Sequence, residues 1–159
     1  MIERGFYKIK DSYFIDFPDE YLKDNKNEKR PCYFCFIDKK TNLAWMIPMS
    51  KQVKKYENII EHRKLNNKPC DIIHVGKLDT GHKGVFLIQD MFPIIDSYIA
   101  DEYTVNGNIL QVTSESLALE VERKSKRILN LIHKDIKLQP KQPDVLKIET
   151  KLLQNIQII

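Results

Sequence analysis

Where the apolar run NLAWMIPM gives way to SKQVKKYENI, the sequence gathers a hydroxyl, several ammonium groups and a phenol: Ser50, Lys51, Lys54, Lys55 and Tyr56. Donors and positive charge concentrated at one point suit an anion, more so where a helix begins with its first N–H groups unpaired. Phosphate is the ligand that fits. If that phosphate links two ribonucleotides, the adjacent 2′-OH can attack it without metal, provided cations stabilise the added negative charge and some group protonates the departing 5′-oxygen. Lysine meets the first need more readily than the second, since an ordinary lysine, with a pKa of about 10.4, holds its proton at neutral pH. Histidine transfers protons more easily, and the chain has His62, His74, His82 and His133. None falls in the corner itself, although His62, on the polar side of the helix that follows, could approach substrate. A serine hydrolase fits worse, because Ser50 stands between Met49 and Lys51 without the glycines of a nucleophile elbow.

The same corner also reads as an ordinary edge strand followed by a solvated basic helix, on which Arg63 and Lys64 continue the charge. A second cluster, Arg123, Lys124, Lys126 and Arg127, lies in VERKSKRIL and offers either an RNA backbone contact or a solvated face. The total decides little: 26 basic against 22 acidic residues leave +4, which does not by itself announce a nucleic-acid binder. Cys32 and Cys35 form a CxxC, but in a β-like run residues three apart point to opposite faces, and Cys70 stands alone. Core cysteines are therefore expected, rather than a metal or redox centre.

A scaffold must position these groups. A chain of 159 residues, 42% of them hydrophobic, suffices for one domain spanning 1–159. No apolar run approaches a membrane span and MIERGFYKIK lacks the apolar stretch of a signal peptide, so a soluble, cytoplasmic protein is expected. GFYKI reads as a strand, DSYFIDFPDEYL as an irregular or briefly helical connection, and LKDNKNEKR as a solvated, mobile loop. PCYFCFID and NLAWMIPM should pair antiparallel around Asp38–Asn42, with Pro48, which cannot donate to a ladder, ending the second strand or placing it at an edge. Val53, Tyr56, Ile59, Ile60 and Leu65 follow helical spacing. CDIIHVGKL and GVFLIQD read as a further pair around DTGHKG, MFPIIDSYI as strand-like with a proline interruption, and VNGN as a turn. From Ser114 onward Leu117, Val121, Ile128, Leu131 and Ile132 mark one face of a long helix capped by Thr113 or Ser114; beyond QPKQP, Asp144 caps a shorter one. The order describes a small α+β domain around a partly closed antiparallel sheet.

In their order and separation, RPCYFCFID, AWMIPMSKQVKKYENI, CDIIHVGKL and above all VFLIQDMFPIIDSYI resemble the toxins of type III toxin–antitoxin systems, the ToxN/AbiQ group, and within it the CptN branch. The likeness runs from about Phe6 to the long helix. It implies a compact SH3-like (MazF/Kid-like) β-barrel core with an inserted helix and C-terminal helices. It implies further a cofactor-free, metal-independent endoribonuclease that leaves a 2′,3′-cyclic phosphate. Such toxins are inhibited by an RNA pseudoknot antitoxin encoded as repeats, assemble with it into closed complexes of several copies, and serve phage defence by abortive infection.

On the family's pattern Ser50 acts on the phosphate or the 2′-OH, and the charge-stabilising cation matches Lys51 first, Lys54 and Lys55 next. Gln52 stands where relatives often carry lysine, and Met49 where some carry threonine. Arg30 resembles the basic residue before the second-strand proline, whose side chain enters the active-site groove, although it also reads as a loop-end arginine. The implied catalytic set is Ser50, Lys51 and Arg30. RNA-binding candidates are Lys54, Lys55, Tyr56, Arg63, Lys64, Arg123, Lys124 and Arg127. Tyr56, Phe34 and Trp45 could stack bases, the latter two being better suited to the core. QDMFPI reads as structural, with Gln89 or Asp90 satisfying backbone groups at a bend. Two other functions fit the same corner: a non-catalytic RNA-binding module, and a MazF-like toxin with a protein antitoxin.

Overall fold

Aromatic and β-branched runs bounded by turn residues become strands, and the longer amphipathic runs become helices. The computed structural model describes residues 1–157. Its elements are β1 (Phe6–Ile9), α1 (Asp11–Asp16), β2 (Cys32–Ile37), β3 (Ala44–Ser50), α2 (Val53–Leu65), β4 (His74–Lys77), β5 (Lys83–Phe86), β6 (Phe92–Ile94), β7 (Ile99–Glu102), β8 (Thr104–Val105), β9 (Asn108–Ile109), α3 (Glu115–His133) and α4 (Val145–Gln157). Turns of 3₁₀ helix at Ile88–Asp90 and Asp96–Tyr98 flank β6.

The main sheet is antiparallel in the order β4-β5-β3-β2-β1-β7, and β3 carries β6 as well. β2 and β3 pair as the hairpin expected from sequence, Tyr33 opposite Ile47. The other edge of β3 is divided: β6 takes its first half, Met46 opposite Phe92, and β5 takes its end, Ser50 opposite Val85. The sheet therefore forks at β3. Among the described residues β4 and β7, its two ends, do not pair with each other, and the closed MazF-like barrel is not present.

Pro48 also departs from expectation, for β3 runs through it at the centre of the sheet. Its carbonyl accepts from Leu87 N at 3.1 Å, so the N–H it lacks would point to the same side, where the chain leaves β5 for the turn at Ile88–Asp90. The missing donor falls in a gap of the ladder and costs no strand bond.

Trp45, Tyr33, Phe6, Phe86 and Phe92 are fully buried, and the edge-on pair Tyr33–Phe86, 5.2 Å between centroids, joins β2 to β5. Each such side chain contributes about 1.5–3 kcal/mol on burial. The cap of α3 is as expected, Ser114 Oγ accepting from Leu117 N at 3.3 Å, and that of α4 is Asp144, accepting from Lys147 N at 3.2 Å. Leu117 seats α3 on β4: a Cβ at Gly76 would lie 2.5 Å from its Cδ1, so glycine permits the close approach.

The segment before β2, expected to be a mobile loop, is pinned. Asn25 is buried, its amide donating to Ile9 O at 3.0 Å and Asp11 Oδ1 at 2.6 Å, while its own carbonyl accepts from Lys29 N and Arg30 N, both at 2.9 Å. Between these anchors Lys26, Asn27 and Glu28 all lie in the left-handed region, with φ of 49°, 55° and 60°. Without glycine this costs about 1–2 kcal/mol per residue, offset by the satisfied polar groups of Asn25.

Candidate nucleic-acid interface

β3 ends at Ser50 because the chain turns there into α2. Ser50 Oγ accepts from Gln52 N at 3.2 Å, and no side chain caps the helix. The serine is partly exposed and lies on the wall of a cleft of about 890 Å³. The same cleft is lined by Lys51 and Lys55 from the corner, by Lys23, Lys26, Lys29 and Arg30 from the pinned loop, and by Lys83 from β5. Among the described residues no Asp or Glu lines it.

Arg30 is held in place from behind. Its Nη1 donates to Met49 O at 3.0 Å, its Nη2 is 3.9 Å from the exposed Asp24, and its Nε is buried without a partner. The guanidinium is thus fixed one residue from Ser50, at the wall rather than at a loose loop end. Tyr56 also lines the cleft but is only 7% exposed, with Lys55 Nζ 5.3 Å from its ring centroid, which leaves little ring to stack a base. Burial, followed by the charge of Asp90, raises the Tyr56 pKa against the opposing influence of Arg30. Asp90 itself is buried and raised by burial, with Lys23 the first of the groups opposing the rise. Phe34 and Trp45 are core residues.

The remaining candidates lie elsewhere. Lys54 is exposed and outside the lining, and Arg63 Nε donates to Pro69 O at 3.2 Å, tying down the end of α2. Lys64 and Lys124 meet at a shallow second cleft of about 400 Å³ together with Glu57, Glu61 and His74. Arg123 and Arg127 both engage Asp71, at 3.7 and 2.8 Å, and Arg123 also holds Glu120 at 2.9 Å. Lys124 Nζ lies 3.0 Å from His74 Nδ1. Burial first, then the charge of Lys124, pushes His74 down to about 4, so it is neutral at pH 7.

Sequence reasoning missed Lys23, Lys26, Lys29, Lys83 and His82, all of which line the cleft. The loop lysines leave no local signal, since a long-range bond from Asn25 to Ile9 brings them in. For His82 a signal existed: pairing Ser50 with Val85 puts the DTGHKG turn beside the corner. Histidine is the residue type best suited to exchange protons near neutral pH, and His82, rather than His62, is the one at the cleft.

No family model and no curated protein matches the chain. Solved structures do match in fold. AbiQ, a lactococcal anti-phage endoribonuclease of the type III toxin–antitoxin system, superposes with a TM-score of 0.70 at 15% identity, over 96% of this chain and 98% of its own. A protein of a bacterial antiviral system regulated by a processed non-coding RNA gives 0.62 at 16% identity, over 92% and 96%. A third, from bacterial type III systems with selective toxin inhibition by a non-coding RNA pseudoknot, gives 0.52 at 15% identity, over 98% and 99%. At these identities the likeness is one of fold, and it extends over nearly the whole chain.

Proposed function

We propose that this chain is the endoribonuclease toxin of a type III toxin–antitoxin system, one domain that cleaves RNA without metal and is silenced by an RNA pseudoknot. The observation that carries the reading is a cleft lined, among the described residues, by seven cationic side chains and Ser50 and by no carboxylate. That lining attracts a polyanion and repels a divalent cation. The fold shared with an anti-phage endoribonuclease supports the same reading.

In the reaction the 2′-oxygen bonds to phosphorus as the bond from phosphorus to the 5′-oxygen breaks, leaving a 2′,3′-cyclic phosphate. The 2′-OH gives up a proton and the departing oxygen takes one. Ser50 Oγ accepts from Gln52 N, which leaves its own O–H free to donate to a phosphate oxygen. Arg30, oriented by Met49 O, and Lys51 stabilise the charge that builds on the phosphate. His82, which lines the same cleft, exchanges the protons in this reading. Lys55 and the loop lysines hold the flanking backbone. In the inhibited state the same cleft holds antitoxin RNA, in closed toxin–RNA assemblies of several copies, in the cytoplasm, released during phage infection.

Incubating the purified chain with RNA in EDTA tests this: fragments with cyclic-phosphate ends are expected. RNA retarded but intact would mark a non-catalytic binder, and cleavage only on adding magnesium would end metal independence. Short tandem repeats before a terminator are expected upstream of the gene, whereas a small open reading frame there would favour a protein antitoxin.

A further inference from the structure

The cleft has an uncharged lining that phosphate binding does not use. Besides its cations, the cleft is lined by Leu78 from the β4–β5 turn, packed against Gly84, and by Tyr103, Val105 and Leu110 around the β8–β9 ribbon. The ribbon is a separate two-stranded unit closed by Asn106 and Gly107, with φ of 52° and 79°, the conformation of a tight hairpin turn. Its base is tied to β1: Tyr103 N donates to Phe6 O at 2.8 Å, Phe6 N to Leu110 O at 3.1 Å, and Leu110 N to Tyr103 O at 2.9 Å. Tyr103 is half-buried at this root, so its ring is held while part of it still faces the cleft.

One cavity therefore combines cationic side chains with uncharged ones that include an aromatic ring. A free phosphate would leave the uncharged lining wet, and an apolar ligand would leave the cations without a partner. A nucleotide satisfies both, because it carries a charged phosphate and a flat base on one short unit. We propose that the apolar lining is a nucleobase slot, in which an unpaired base beside the bound phosphate stacks on Tyr103 between Leu78, Val105 and Leu110. The inference rests on the proposed function for the identity of the ligand as RNA. It adds that the substrate is single-stranded at the cleft, since a base within a duplex cannot leave its stack at no cost, and that Tyr103 contributes to the choice of cleavage site.

The test uses the full chain and two oligomers of equal length and charge: 2′-O-methyl oligouridylate, which has no attacking hydroxyl, and its abasic counterpart. The wild-type protein should bind the base-bearing oligomer about tenfold more tightly. Tyr103→Ala and Tyr103→Leu should lose that preference while still binding the abasic oligomer as the wild type does, and Tyr103→Trp should keep it. Equal wild-type affinity for the two oligomers overturns the slot, as does a preference that survives in Tyr103→Leu with its circular dichroism unchanged. Neither oligomer can be cleaved, so base-dependent binding without hydrolysis of unmodified RNA would defeat the proposed activity and leave the slot standing.

Discussion

Two regions of this chain are equally basic in sequence and opposite in character once folded. Along α3, Arg123 and Arg127 share Asp71, Arg123 and Lys124 meet Glu120, and Lys126 pairs with Glu122. At the cleft only Arg30 and Lys83 have an acidic neighbour among the described residues, Asp24 at 3.9 Å and Glu57 at 2.6 Å, and the five other cations have none. The α3 cluster spends its charge inside the protein, whereas most of the cleft's cations have no acidic neighbour among the described residues. Net charge cannot separate the two cases; the positions of the carboxylates can.

The contrast is tested most sharply at Ser50. Ser50→Ala should lower RNA cleavage at least a hundredfold while leaving affinity within about threefold, because one hydroxyl donor matters in the transition state and little in a contact with many phosphates. Unchanged cleavage would take Ser50 out of the mechanism. Lys55→Glu should weaken RNA binding about tenfold at 0.1 M salt and flatten its salt dependence, with Lys54→Glu and Arg127→Glu falling well short of it. Equal losses in all three, by fluorescence anisotropy over a salt series, would erase the distinction between the regions.

The α3 region should answer instead in stability. His74 is held neutral by burial and by Lys124 and Arg123, with Glu120 opposing, and titrates near 4 instead of 6.5. As pH falls the unfolded chain takes up this proton first, so the stability from this site is complete above about 6.5 and drains away toward about 4. Melting temperatures between pH 7.5 and 5 should fall, less steeply in His74→Gln; parallel curves would assign the loss to other groups. The smallest effect is expected from Asp71→Asn, about 1 kcal/mol by urea unfolding, as both its arginine partners are largely solvated. RNA affinity should then stay within twofold.

What the sequence conveyed was whatever local chemistry decides. The helical spacing from Val53 to Leu65, the Ser114 and Asp144 caps and the hairpin around Asp38–Asn42 are each written in neighbouring residues, and each is present. Ser50, Lys51 and Lys55 could be read together because they follow one another where β3 gives way to α2, whereas Arg30 entered only through the family resemblance; all four line the cleft. The rest depended on partners far along the chain. Three successive left-handed residues without glycine make sense only beside Asn25 and Ile9, and a central Pro48 only beside the departure of the chain at Leu87. The open sheet likewise follows from β3 dividing one edge between two strands, a register that no single segment specifies.

The walls of the cleft come from residues as far apart as Phe6 and Leu110. Synthesis proceeds from the N-terminus, so a growing polypeptide carries its serine long before His82, Tyr103 and the end of the ribbon exist. Nascent and prematurely terminated products therefore lack part of that lining, and the cleft is complete only once Leu110 has been added.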